Sequence, residues 1–366
     1  MKPLFDCTIE YLKSPHLQQL YTGFFELQKR GIAQLHFTQK NKSADATAIT
    51  TVIINNKYKV IYDAIDGLSW IKGTEEENLL YFQKNFKADF YFKRSYSPKM
   101  LAYAPEGCTV LPLGFNYNMQ PRANLLRFNN SLPEKIKYIL KTGNLTKRFF
   151  GKSFFYAKDF EQAPLEAGQD KVLFITRLWN PDEAKSEPSR VHRQSINAMR
   201  VACIEMCRKK YGKQFTGGLI KDAFSAKHYP QLLLPDELTC KKGYLNTTKK
   251  HAICVATTGL HNSTGWKMAE YVAASKAIVS EPLHFELPGN FEKNTNYLEF
   301  TTVDELINKI DYLLQNKTAL LQMMQNNHRY YHHYVKPDVL VLNTLNKIVA
   351  PKQEDAFIQQ AVQALV

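Results

Sequence analysis

Apolar positions in this chain fall into short runs separated by amphipathic stretches, and the alternation starts twice. In the first half, Ser14-Pro15 reads as an N-cap with proline at the first helical position. It opens a helix that Gly31 ends after Arg30. Residues 32–37, 51–54 and 59–62 read as strands, the last two joined by the turn signal Asn55-Asn56. Thr74 starts a helix running to about Asn85, and residues 88–92 and 109–113 return to strand. The second half restarts with a strand over residues 172–176. Pro188 then opens a long helix whose apolar positions Val191, Met199, Ala202 and Met206 predict its inward face. Residues 252–256 and 277–280 read as strands around a helix over 265–274, and Thr302-Val-Asp-Glu305 reads as a capping box for a helix to Gln315. Strands alternating with helices predict parallel sheets covered on both faces, and two starts predict two Rossmann-like domains.

Length and composition agree. A chain of 366 residues with 44% hydrophobic and 12% aromatic positions can bury two cores. The boundaries read from the sequence are 1–160 for the first domain and 171–345 for the second, with a polar linker over 161–170. A C-terminal helix over 346–366 is expected to cross back onto the first domain. The six cysteines form no Cys-x-x-Cys pair, and Cys203 and Cys207 share a helical face as small packing residues. No apolar run has signal-peptide or membrane-span length, so the expected location is cytoplasmic and the three Asn-x-Ser/Thr sequons are read as chance. The net charge of +14, from 48 Lys+Arg against 34 Asp+Glu, favours anionic partners. These could be nucleic acid, the anionic inner face of a membrane contacted peripherally, or a phosphorylated small molecule.

The choice among them rests on residues 252–280, a strand–loop–helix–strand unit. Its loop, residues 257–265, is rich in small and hydroxylated residues and lies past the carboxyl end of a strand, where open α/β sheets bind ligands. It delivers a helix N-terminus, whose unpaired N–H groups and dipole attract phosphate. Ser263, Lys267, Glu270 and Ala274 are spaced four, three and four and form one stripe. A hydroxyl and an ammonium near the start suit a diphosphate, together with Thr264 and Gly265. A carboxylate one turn on suits a ribose diol.

The segment GLHNSTGWKMAEYVAASKAIVSEP, residues 259–282, resembles the donor-binding motif of GT-B glycosyltransferases, and VLFITRLW, residues 172–179, resembles the strand that opens their donor domain. The resemblance is good over residues 172–345. It implies two Rossmann-like domains facing across a cleft, a nucleotide-sugar donor, no other cofactor and no resident metal. It also implies that Glu270 meets the ribose and that Arg177 lies near the diphosphate. Many retaining members carry a second glutamate eight positions earlier, where this chain has Asn262.

Other basic candidates for the leaving diphosphate are Lys185, Arg193 and Lys221. No Asp-x-Asp motif is present. On the acceptor side, Asp63 and Asp66 end a strand in the first half, and Asp66 is the candidate catalytic carboxylate. Lys93, also after a strand, is a candidate substrate contact. Gly151-Lys152-Ser153 lacks the earlier glycine of a phosphate loop, and His328 and His332, at i, i+4, lack a carboxylate partner for a metal. The basic-aromatic stretch over 147–156 could stack bases or lie against a membrane surface, and reads first as packing near the hinge. The expected function is sugar transfer from a nucleoside-diphosphate sugar to a surface-glycan or lipid-linked acceptor. The alternatives are a non-catalytic nucleic-acid binder using the +14 charge, although no nucleic-acid partner is expected, or another two-Rossmann enzyme such as a sugar-nucleotide epimerase.

Overall fold

A computed structural model of the protein describes residues 3–39, 48–123, 132–133, 135–136, 154–164 and 170–349. The linker residues 165–169, most of the stretch over 147–156 and residues 350–366 of the expected C-terminal helix lie outside them. The chain divides into two compact units, Met1–Asp159 with Phe285–Gly289 and His332–Val366, and Phe160–His284 with Asn290–Tyr331. It passes through the first unit at Phe285–Gly289 and returns to it again at His332, ahead of the boundary at 345 read from the sequence.

In the first unit six strands follow the order β2-β1-β3-β4-β5-β6: β1 (Phe5–Tyr11), β2 (Ala33–Gln39), β3 (Ile49–Ile54), β4 (Tyr58–Asp63), β5 (Phe90–Lys93) and β6 (Thr109–Pro112). All neighbours are parallel except β3, which runs antiparallel to both β1 and β4. The reason is local: Asn55 and Asn56 both adopt positive φ, and that backbone twist closes a tight hairpin between β3 and β4. Strand β1 went unread in the sequence, although Phe5, Cys7, Ile9 and Tyr11 alternate inward along it. Helix α1 (Gln18–Lys29) follows a single 3-10 turn at Pro15–Leu17, and Gly31 at φ 73 ends it. Helix α2 (Glu75–Asn85) carries the complete capping box between Thr74 and Glu77.

One core joins β1, β2, β4 and α1 to the C-terminal helix α9 (Pro337–Val349), through Phe24, Tyr62, Val341 and Leu345 among others. A Cβ added at Gly23 of α1 would lie 2.1 Å from the Pro337 carbonyl oxygen and 2.5 Å from Val341 Cγ2. Gly23→Ala is therefore expected to destabilise the first unit by about 1–3 kcal/mol, outweighing the helix propensity gained. Urea denaturation checks it, and an unchanged midpoint would mean that the α1–α9 contact yields freely.

The second unit has five strands in the order β11-β10-β9-β7-β8, all parallel. They are β7 (Val172–Thr176), β8 (Phe215–Leu219), β9 (Ile253–Ala256), β10 (Ala277–Ser280) and β11 (Leu298–Glu299). The chain moves outward from β7 to β8, then jumps back to place β9 on the other side of β7. That reversal is a topological switch point, and the strand ends β7 and β9 diverge there. Helix α3 (Glu187–Tyr211) packs on β8 and on α7 (Val303–Gln315). Helix α6 (Trp266–Ala273) packs on β9 and on α8 (Lys317–Tyr330). The connection from β8 to β9 includes the shorter helices α4 (Ala223–His228) and α5 (Lys241–Lys249), with a single helical turn at Asp236–Thr239 between them.

The face of α3 differs from the expected one. Val191 and Met206 are exposed, at 52% and 37%, whereas Asn197, Arg200, Cys203, Ile204 and Cys207 are buried. Cys203 and Cys207 pack in the core as expected. The apolar pattern misled because two of the inward positions are polar and serve the loops at the switch point.

Candidate functional site

The switch point gathers charge. Arg177, directly after β7, is exposed, and its guanidinium lies 4.0 Å from the centre of the Trp179 ring. The loop after β9 runs from Thr257 to Gly265 and ends at the N-terminus of α6. It is closed on itself: the Gly259 N–H donates to the Ser263 carbonyl at 2.9 Å, and the Ser263 N–H to that of Leu260 at 3.1 Å. His261 and Asn262 sit at the tip with φ of 57° and 54°, a left-handed pair without glycine. A Cβ on Gly259 would lie 2.8 Å from Ser263 Oγ and 3.2 Å from the Ser263 carbonyl oxygen, so a larger residue there would have to displace the Ser263 hydroxyl. Around Gly265 the space is open, and nothing would meet an added Cβ within 4 Å.

Lys267, in the first turn of α6, is half-buried and donates to the Ile175 carbonyl of β7. Burial first, and then the neighbouring Arg200, Arg177 and Lys241, push its ammonium down to about 7, with Glu270 opposing. Arg200, from α3, is buried and pushed down to about 10 by desolvation. Its guanidinium donates to the Arg177 carbonyl at 2.7 Å, the Thr258 carbonyl at 3.0 Å and Thr257 Oγ1 at 3.0 Å. Glu281, just past β10, accepts from the Thr258 N–H at 2.8 Å, and burial raises its carboxyl.

Glu270 is 4% exposed and pairs through Oε1 with Lys241 of α5 at 2.5 Å. Its other oxygen makes no hydrogen bond to a described residue. The stripe read from the sequence is therefore turned inward: Ser263, Glu270 and Ala274 are buried, and Lys241 already holds the carboxylate expected to meet a sugar diol. Helix spacing places side chains on a common face but cannot say what packs over it. Thr264 is half-buried and Lys221 lies exposed after β8. Lys185 is also exposed, whereas Arg193 donates to the Asn180 carbonyl at 2.6 Å. Taken together, Arg177, Arg200, Lys241 and Lys267 stand against Glu270 and Glu281, a cationic excess beside a helix N-terminus. Such a cluster can hold a polyanion.

The acceptor-side candidates lie in the first unit and behave differently. Lys93 is completely buried, donating to Asp63 Oδ1 at 3.2 Å and to the Ile65 carbonyl at 2.7 Å. It cannot reach a substrate as read from the sequence, because β5 points it under the Trp70 ring, 5.2 Å away. Asp63 is buried too, and accepts from Tyr91 Oη at 2.5 Å, Trp70 Nε1 at 2.6 Å and the Ile65 N–H at 2.7 Å. Asp66 is half-exposed and forms an ion pair with the buried Arg94. Of the three, only Asp66 presents a carboxylate to solvent.

No family model matches the sequence, and no curated protein does. Solved structures are similar. One is the C-terminal domain of a glycosyl transferase group 1 family protein, LpcC, from Francisella tularensis. It shares 13% identity over 49% of this chain and 97% of that chain, at a TM-score of 0.36. HepE of Anabaena, solved in complex with UDP, shares 11% identity over 92% of this chain and 95% of its own, at a TM-score of 0.45. S. aureus TarM, solved with UDP among its ligands, shares 12% identity over 82% of this chain, at a TM-score of 0.33. That match spans only 64% of TarM.

Sequence reasoning missed Arg200, Asn197, Lys241 and Glu281. The first two carried a signal, since Arg193, Asn197 and Arg200 are spaced four and three and so share one helical face. Lys241 carried none, because α5 is remote from α6 in sequence. No group of acidic, histidine or cysteine residues among the described ones is arranged to hold a metal, His328 included.

Proposed function

We propose that the protein transfers a sugar from a nucleoside-diphosphate sugar to a hydroxyl acceptor. The observation that supports this reading is the convergence of Lys267, Arg177 and the open N-terminus of α6 at the switch point of the second sheet. A diphosphate there would meet two side-chain cations and helix N–H groups. In the reaction the bond from the anomeric carbon to the β-phosphate oxygen breaks, and the acceptor oxygen bonds to that carbon. The charge left on the diphosphate is what these cations would stabilise. Glu270, through its second oxygen, is our candidate for the ribose hydroxyls, with Lys241 fixing the carboxylate. Asp66 is our candidate partner for the acceptor proton. We favour a glycan or lipid-linked acceptor, in keeping with the +14 charge. Among the described residues no helix is long and apolar enough to cross a membrane.

The test is calorimetric titration with UDP-, GDP-, ADP- and TDP-sugars. At least one should bind, and turnover with it should persist in EDTA. Glu270→Ala should weaken that binding by about 1.5–3 kcal/mol through the lost charged hydrogen bonds. Silence across the whole panel would remove the donor reading, and an unaltered affinity in the folded variant would remove Glu270 from it.

A further inference from the structure

We infer that a polar stripe on the inward face of α3, Arg193, Asn197 and Arg200, positions both loops of the anion site, with Arg200 as the central positioning residue. The inference rests on the donor-site reading above. Each member of the stripe holds backbone. Arg193 donates to the Asn180 carbonyl at 2.6 Å. Asn197 grips Trp179 on both sides, accepting from its N–H at 2.9 Å and donating to its carbonyl at 2.7 Å. Arg200 spans the gap between the two strand ends, holding the Arg177 carbonyl after β7 and the Thr257 hydroxyl and Thr258 carbonyl after β9.

Thr258 is thereby fixed at both its carbonyl and its N–H, the latter by Glu281. Beyond it the loop passes through the left-handed pair His261 and Asn262, a conformation that persists only when its surroundings determine it. Burying a guanidinium is expensive, and an apolar side chain could fill the same face without that cost. What an apolar side chain could not do is tie three acceptors from two loops into one planar fork. A lysine keeps the charge but not the fork. Through these bonds Arg200 sets where Arg177 and the N-terminus of α6 stand relative to each other, which is the spacing a diphosphate must match.

The experiment compares wild type with Arg200→Lys by hydrogen exchange, read by mass spectrometry, and by titration with UDP. Exchange in residues 177–180 and 257–265 should accelerate at least about tenfold, while peptides of the first unit stay unchanged. The Kd for UDP should rise about tenfold, the cost of roughly one charge-assisted hydrogen bond. Unchanged exchange in both loops would overturn the inference, as would loosening throughout the second unit, or loosened loops with undiminished UDP affinity. If wild type binds no UDP, and GDP, ADP and TDP fail as well, the donor reading falls while loop exchange still judges the positioning. Should Arg200→Lys fail to fold, Thr257→Val removes one acceptor of the fork at nearly constant volume. It should loosen 257–265 and weaken UDP several-fold, and unchanged exchange there would again overturn the inference.

Discussion

Replacing Lys267 with methionine is expected to weaken UDP binding by roughly 10- to 100-fold and to flatten its dependence on pH. In the free protein the Lys267 ammonium is pushed down to about 7 by burial and by Arg200, Arg177 and Lys241. An anion seated beside it favours the charged form and raises that value in the complex. Binding therefore takes up a proton. Affinity should be highest below pH 7 and should fall as pH rises from about 7 toward the value in the complex. Titration in two buffers of different ionisation enthalpy at pH 8 would reveal the uptake, and in Lys267→Met it should largely vanish. A wild-type affinity that stays flat or climbs from pH 7 to 9 would exclude Lys267 from the anion site. The same shift makes a stability statement of opposite sign. The unfolded chain holds its lysine proton up to about the ordinary 10.5 while the folded one releases it near 7. The contribution of Lys267 to ligand-free stability is thus at its worst below pH 7 and improves as pH rises through that window.

Asp63→Ala should be the most damaging single substitution in the first unit, costing about 3–5 kcal/mol. Neither Asp63 nor Lys93 has any exposure, and the carboxylate also receives Tyr91, Trp70 and the Ile65 N–H. Removing it leaves an ammonium buried with one backbone carbonyl, and two aromatic donors lose their partner. Desolvation already lowers the Lys93 ammonium, with Asp63 opposing. Urea denaturation would measure the loss, followed by tryptophan fluorescence in a variant that keeps Trp70 and replaces Trp179 and Trp266 with phenylalanine. The double variant with Lys93→Met should recover much of it, because the stranded charge goes too. A single-variant loss below about 1 kcal/mol would mean that water reaches this network.

Several elements were legible without coordinates because their cause is local. The Asn55-Asn56 hairpin follows from two residues that tolerate positive φ, the start of α2 from the Thr74–Glu77 box, and β7 and β10 from unbroken apolar runs. The capping at Thr302 was read nearly right. Its hydroxyl accepts from the Glu305 N–H, but the Glu305 carboxylate turns to Thr301 instead of closing the box. Strand β1 was legible and passed over, for its alternation is complete.

By itself the sequence determined that the chain builds two α/β units. It also determined that a small-residue loop delivers a helix start after β9, and that Lys267 and Glu270 share a face of that helix. All of this depends on neighbours within a few residues, where backbone preference and side-chain period act. Only the tertiary structure decided which partner each charge takes. It put Lys93 under Trp70, gave Asp66 to Arg94 and Glu270 to Lys241, and turned Asn197 and Arg200 inward where Val191 and Met206 were expected. A charged side chain settles where its desolvation is offset, and the partner that offsets it is brought by folding from 28 or 29 positions away in the pairs Asp66–Arg94 and Lys241–Glu270. Periodicity carries no information over that separation.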